Sequence, residues 1–341
     1  MNKDKALFRL EREKLLLTGE IPRLFMKYAL PGVAGLLFLG IQSVIDGIVL
    51  GRFVGANALA SVNLVLPCYS LISAFAIVMG IGGQTLVSIS LGRGDKQEAN
   101  NALRSVFVFL LGMSVVVSLV IFLSAGKIAS FLGANEVLLP DAVHYIRALV
   151  PFFPLLCAMF FGDYIIKAMG HPLYATSVMG MTVVLNIVLD LVFVAVLGWG
   201  VMGAGLATGI AFTMGACFNV PRLFSRHEVV AVQRGRYDQR LVWNAFYNGS
   251  SEGMSELSVA ITVFLFNITM MRYLGESGVA AFTAINYILF IGTTVFLGIS
   301  DGIIPIIGYN YGAGQQERIK LILKLAARTN SLIGIGLFLL L

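Results

Sequence analysis

The chain has 341 residues, 58% of them apolar and only 12% charged, whereas soluble domains carry about 25% charged residues. That is too little polar surface to clothe a water-soluble body, which excludes disordered, collagen-like and disulfide-scaffold classes and a cytosolic enzyme with one anchor. Its mean hydropathy of +0.87 makes lipid the solvent for most of the chain.

Residues 1–22 scatter Lys, Arg and Glu among Leu and Phe. They lack the uninterrupted apolar core of a cleavable signal peptide and predict an amphipathic helix lying on the cytoplasmic membrane surface. A bilayer core of about 30 Å takes roughly 20 apolar residues per helix. Windows of that kind fall at about 25–50, 59–90, 102–124, 141–167, 173–197, 201–222, 243–270, 280–308 and 321–341. The fold class is therefore an all-α polytopic membrane protein with nine transmembrane helices. Of the 24 Lys and Arg, 20 fall on the side of the N-terminus when the spans alternate, and only Arg52, Lys127, Arg147 and Arg272 on the other. Positive charge marks the cytoplasmic side, so the N-terminus is expected inside. The formal charge of +6 has anionic lipid, not nucleic acid, as its partner. Cys68, Cys157 and Cys217 lie in apolar spans without metal-ligand spacing and read as small buried hydrophobes.

Shifting the chain on itself by 220 residues superposes Arg52 on Arg272, Gly55 on Gly275, Gly82 on Gly302, Gly92 on Gly312 and Gly94 on Gly314. The shift spans six helices, an even number, so the two halves share one orientation, as in parallel transporter repeats. The expected organisation is a six-helix N-lobe over 23–224, a polar cytoplasmic linker over 225–241 and a partial C-lobe of three helices over 242–341. A complete second lobe needs three more helices, twelve in all.

The segments Ile45-Asp46-Gly47-Ile48-Val49-Leu50-Gly51-Arg52, Leu91-Gly92-Arg93-Gly94-Asp95, Asn186-Ile187-Val188-Leu189-Asp190, Gly203-Ala204-Gly205-Leu206-Ala207-Thr208 and Gly308-Tyr309-Asn310-Tyr311-Gly312-Ala313 resemble the multidrug and toxic compound extrusion (MATE) family. They are most similar to its bacterial branch with DNA-damage-inducible and staphylococcal multidrug members. The resemblance implies a two-lobe antiporter of the inner membrane, acting as a monomer, that exports small organic cations against inward Na⁺ or H⁺ without a further cofactor. One departure is Leu191, where the family often has Pro after Asn-x-x-x-Asp.

Ionisable groups at bilayer depth are costly and functional by default. Asp46 near the end of the first span, Asp190 in the fifth and Thr208 in the sixth fall at similar depth, about 10 Å inside the outer boundary at 1.5 Å per residue. Gln42 and Asn186 stand four residues before Asp46 and Asp190 and share their helical faces. Two converging carboxylates in a low dielectric hold a proton between them or bind Na⁺ together. Asp46, Asn186, Asp190, Thr208 and Gln42 are the expected coupling site, and the resemblance places a cation on such residues. The alternative is an Asp–Asn knot that only sets helix register. Glu252 and Glu256, one turn apart in the seventh span, with Asp301 in the eighth, are expected to meet a cationic substrate or a second ion; bonding to neighbouring serines is the alternative. Asp163 and Lys167, four apart at the end of the fourth span, read as a snorkelling pair at the membrane interface.

No metalloprotease, nucleophile-elbow or phosphate-loop motif is present, so neither an enzyme nor an ATP-driven pump is expected. A lipid-linked saccharide flippase is the rival reading. It requires cavity Arg or Lys for phosphate, whereas the expected cavity charges here are acidic.

Overall fold

The structure, a computed structural model, describes residues 15–340, without the side chains of Leu340 and of part of the stretch 256–291. The expected surface helix over 1–22 thus lies mostly outside the described residues. Its last turn, at 15–18, buries Leu16. Asn310 Nδ2 donates to the Leu16 carbonyl (3.1 Å) and Arg318 Nη2 to that of Gly19 (2.8 Å).

Long helices follow in chain order: α1 (Ile21–Phe53), α2 (Ala56–Gly92), α3 (Lys96–Leu123), a short α4 (Ala125–Phe131), then α5 (Leu139–Leu149). After them come α6 (Phe153–Ala168), α7 (Pro172–Asp190), α8 (Gly200–Leu223), α9 (Gln239–Gly312) and α10 (Gln316–Leu340). A 3-10 turn at Val150–Phe152 joins α5 to α6, where Pro151 and Pro154 withhold backbone donors, and the two together form one span. Among the described residues, eight stretches are long and apolar enough to cross a bilayer. Leu123, Phe131, Val196, Leu332 and Phe338 are among the large apolar side chains exposed on the outside, as lipid contact requires. Of the cysteines, Cys157 is buried, Cys68 half-buried and Cys217 exposed, so the expectation of burial fails for Cys217.

Helix α9 carries helical backbone from Gln239 to Gly312, 74 residues, about 110 Å if straight. It is not straight. Near its start Ala245 packs against Gly82 and Gly249 against Val78, so this part runs antiparallel to α2. Near its end Gly308 packs on Ser88 and Gly312 on Ile89, so that part runs parallel to α2. The chain therefore reverses between Gly249 and Gly308, as two expected spans demand. The expected loop between them is replaced by continuous helical backbone. No Pro interrupts this stretch before Pro305, and in lipid an unbonded backbone group is costly.

The 220-residue repeat is visible as duplicated geometry. Gly94 and Gly314 both adopt left-handed backbone, φ 81° and 72°, which Gly tolerates without steric cost. Around them Asp95 N–H donates to the Ser90 carbonyl (2.9 Å) and Gln315 N–H to that of Asn310 (2.8 Å). Contacts between halves are duplicated too. A Cβ on Gly92 would strike the Tyr309 backbone and one on Gly312 the Ile89 backbone; Gly298 meets Val33 and Gly253 meets Val78. In each pair one contact is the other shifted by 220. Gly308 on Ser88 is its own image, which puts the pseudo-two-fold axis at the crossing of α2 with the returning part of α9. These approaches lie toward the end of the molecule that carries Gly92 and Gly312 and most of the Lys and Arg, the basic end.

The stretch between α8 and α9 is not the free polar connection that its composition predicts. Val229, Val230, Ala231 and Val232 are buried, and α3 pins the backbone: Ala231 N–H donates to Asn100 Oδ1 (2.8 Å), Arg236 N–H to Asn101 Oδ1 (2.7 Å) and Asp238 N–H to Ser105 Oγ (2.8 Å). A polar helix face that supplies acceptors in register satisfies the buried Ala231 amide and fixes the path of the chain beyond it.

Candidate functional site

Three helices of residues 23–224 bring one polar side chain after another to a common point. Gln42 and Asp46 project from α1 one turn apart, Asn186 and Asp190 from α7 one turn apart, and Thr208 from α8. Asn186 is fully buried and Asp190 is 1% exposed; Gln42 and Thr208 are buried and Asp46 is half-buried. With the Asn186 amide oxygen turned to α8, it accepts from both Thr208 Oγ1 and the Thr208 backbone N–H at 3.3 Å, and its nitrogen donates to Asp46 Oδ1 at 3.0 Å. Asn186 thus ties α7 to α1 and α8 in one contact.

The carboxyls of Asp46 and Asp190 lie within hydrogen-bonding reach of each other, but two carboxylates share no donor. Both Asp190 oxygens and Gln42 Oε1 are buried without a protein hydrogen-bond donor. Burying acceptors in this way is costly unless something supplies positive charge to them. A proton held between the two acids does so, and so does a hard cation, which takes oxygen ligands. Asp46, Asp190, Gln42, Asn186 and Thr208 all carry side-chain oxygens able to serve as such ligands.

The backbone just past Asp190 departs from a regular helix. Leu191–Val196 forms a π turn, a feature frequent at functional sites. It starts at the position where the resemblance led to Pro. Beside the site opens a cavity of about 310 Å³, lined by Gln42, Asp46, Asn63, Tyr69, Tyr145 and Thr208 among mostly apolar residues. Asn63, Tyr69 and Tyr145 were not singled out in the sequence. The only signal for them was a polar tip within an otherwise apolar window.

The acids of α9 are placed apart from this point. Asp301 is buried and accepts a 3.3 Å hydrogen bond from Tyr164 Oη of α6. Glu252 is near enough to act on the charge of Asp301 through space. The side chain of Glu256 lies outside the described residues. Asp163 and Lys167 are not a snorkelling pair. Their ammonium and carboxylate meet at 2.5 Å, and the residues are only 3% and 7% exposed. Helix α6 is central, enclosed by α2, α3, α7 and α8, and a helix so placed has no interface for a lysine to reach.

The MatE family model matches residues 31–192 and 253–341. The chain belongs to the MatE family. It is accordingly a multi-pass membrane transporter. The MatE chain is 22% identical to the multidrug export protein MepA of Staphylococcus aureus over 324 residues, 94% of this chain and 70% of that protein. It is 22% identical to MepA of Staphylococcus saprophyticus over 329 residues, 96% of this chain and 71% of that one. Its fold matches a structure described as the outward-facing conformation of a multidrug resistance MATE transporter, with a TM-score of 0.88 and 25% identity, covering 94% of this chain and 72% of that one. It also matches a transporter of the MOP superfamily from Pyrococcus furiosus, described as having a binding pocket of reverse polarity, with a TM-score of 0.86 and 25% identity over the same shares.

Proposed function

We propose that this MatE transporter is a multidrug exporter of the inner membrane that moves small organic cations outward by antiport with Na⁺ or H⁺. The observation that carries the reading is the Asp46–Asp190 pair, with buried Asp190 oxygens that lack a protein donor. Binding a cation there draws α1, α7 and α8 together; losing it leaves two carboxylates in repulsion. The elements so affected are those that line the cavity, which is how ion binding and cargo binding come to share a free energy. Asn186 and Thr208 position the acids, and Gln42 offers a further oxygen. Glu252, Glu256 and Asp301 serve the cationic cargo or a second ion. No cofactor takes part beyond the coupling ion, and the chain acts as a monomer.

In this reading 23–224 and 242–341 are lobes that rock about the glycine contacts, 225–241 joins them, and the basic end faces the cytoplasm. Lobes packed at the basic end, with the cavity nearer the other end, correspond to an outward-facing state. The cavity lining holds no Lys or Arg, which favours cationic cargo over the phosphate of a lipid-linked saccharide. The support from relatives is that the two MepA proteins are multidrug exporters, as their name states.

The test is efflux of a fluorescent organic cation from proteoliposomes, with Na⁺ and H⁺ gradients imposed separately. Asp46→Asn and Asp190→Asn should each lower ion-driven export at least about tenfold, since each removes a charge from a buried ion site (~1.4 kcal/mol or more). Normal export with unchanged ion coupling in both variants refutes the site.

A further inference from the structure

The Asp163–Lys167 pair has a location that an ordinary ion pair does not explain. It sits in the centre of the molecule on α6, and the neighbouring Tyr164 reaches out of the same helix to Asp301 on α9. Lys167 Nζ lies 5.3 Å from the Tyr164 ring centre. Asp163, Lys167 and Glu252 are all close enough to act on the charge of Asp301. A single ammonium, in contact with Asp163, therefore lies within electrostatic reach of an acid on the other half, to which Tyr164 of its own helix is hydrogen-bonded. Asp163 Oδ1 is buried and without a hydrogen-bond donor, so the one lysine does not saturate even its nearest partner.

The packing holds these groups in place. A Cβ on Gly80 of α2 would overlap the Tyr164 ring, and one on Gly83 would press on Phe161, so α2 clamps α6 at the level of the cluster. The halves themselves meet through glycines, at Gly82, Gly92, Gly298, Gly302, Gly308 and Gly312. The same crossing buries Ile299, Ile303, Ile306 and Tyr309 of α9, and the charge shared across the boundary adds an electrostatic contribution to what resists or favours parting.

We propose that Lys167 is a switchable counter-charge between the two halves. With the basic ends packed together it holds Asp163 on its own helix and also offsets the charge of Asp301 across the boundary; when the halves part only Asp163, one turn away, remains with it. Asp163 explains itself on this account. A buried ammonium that lost its only partner would be left uncompensated, which is strongly unfavourable, and a second acid on the same helix keeps Lys167 paired in both states. The organic cation that enters from the basic end then takes the place of Lys167 opposite the α9 acids, so cargo and lysine alternate as their counter-charge. This rests on the two-lobe transporter reading but not on the Asp46–Asp190 site.

The experiment measures lobe separation, not transport, so it succeeds or fails apart from the ion-coupling test. Spin labels are placed on cysteines replacing Leu173 and Leu321, exposed residues at the basic ends of α7 and α10, in the chain freed of its native cysteines and held in lipid nanodiscs. Pulsed electron paramagnetic resonance reads the distance distribution. Lys167→Gln leaves Asp163 and Asp301 without this ammonium and should raise the ratio of long to short distances on the order of tenfold. Adding Asp301→Asn to it should bring the short distance back, and Lys167→Arg should retain it. Tyr164→Phe, a mild change, should shift the distribution in the same direction by a smaller amount and serves if Lys167→Gln does not fold. An unchanged distribution in Lys167→Gln, or in Tyr164→Phe where the first fails to fold, overturns the proposal, as does a double variant that stays open.

Discussion

Two acidic centres stand out among the described residues, and they are built on opposite plans. Asp46 and Asp190 belong to helices of one half and are braced by the neutral Asn186 and Thr208, and among the described residues no lysine or arginine lines the cavity beside them. Asp301 and Glu252 belong to α9; Asp301 meets Tyr164 of the other half and has Lys167 near enough to act on its charge. On the proposed function the first centre takes its cation from outside the chain, whereas the second already has Lys167 within electrostatic reach. A centre inside one rigid unit senses what is bound, whereas a centre that straddles a boundary senses whether the boundary is closed. A two-state transporter requires both kinds of information.

Gly82→Leu should give the largest effect. A side chain there drives into the Ala245 backbone, and overpacking of this kind costs roughly 1–3 kcal/mol. The melting temperature in detergent should fall and the halves should separate at the basic end, while Na⁺ or H⁺ affinity at the Asp46 site is kept. Loss of ion affinity in this variant would show that the two centres are not separable.

Thr208→Ala tests the comparison from the other side. It removes a hydroxyl that faces Asn186, worth about 1 kcal/mol. Ion affinity, read by isothermal titration or by the ion concentration that half-saturates transport, should weaken about fivefold with the lobe distance unchanged. A shift in that distance instead would place Thr208 in the closure machinery.

Asn101→Ala should change least. It costs the Arg236 amide its acceptor at a solvent-facing contact, about 0.5 kcal/mol. Faster hydrogen exchange in the 231–238 backbone should be its main sign, with both centres unaffected. A marked loss of transport would mean that the docked connection helps to hold the two halves in register.

Much of this plan was legible in the residues. Periodic apolar windows marked the spans because a bilayer sets their length. Charge asymmetry ordered their ends, and the Gly92/Gly312 and Gly94/Gly314 matches predicted turns that the structure shows as copies. Gln42, Asp46, Asn186, Asp190 and Thr208 were found from depth and i, i+4 spacing, both properties of a single helix. Asp163 and Lys167 show where such reasoning stops. Their spacing announces a pair, but whether the pair faces lipid or core depends on what surrounds α6, and no local pattern carries that. The buried Val229–Val232 segment was missed for the same reason, since the acceptors that allow its burial sit on α3, about 130 residues earlier. The π turn after Asp190 had no readable signal, because Leu191 fits a regular helix equally well.

What the chain determines by itself is the set of things that hydrophobicity and helix geometry decide locally: that it lies in lipid, how often it crosses, that it is doubled, and at what depth its acids sit. Which of those acids meet each other, which meet a lysine, and which stand at the boundary between the halves was decided only by the packed structure. Helix neighbours are chosen by shape and by close backbone approach at glycines, and those are properties of two surfaces together.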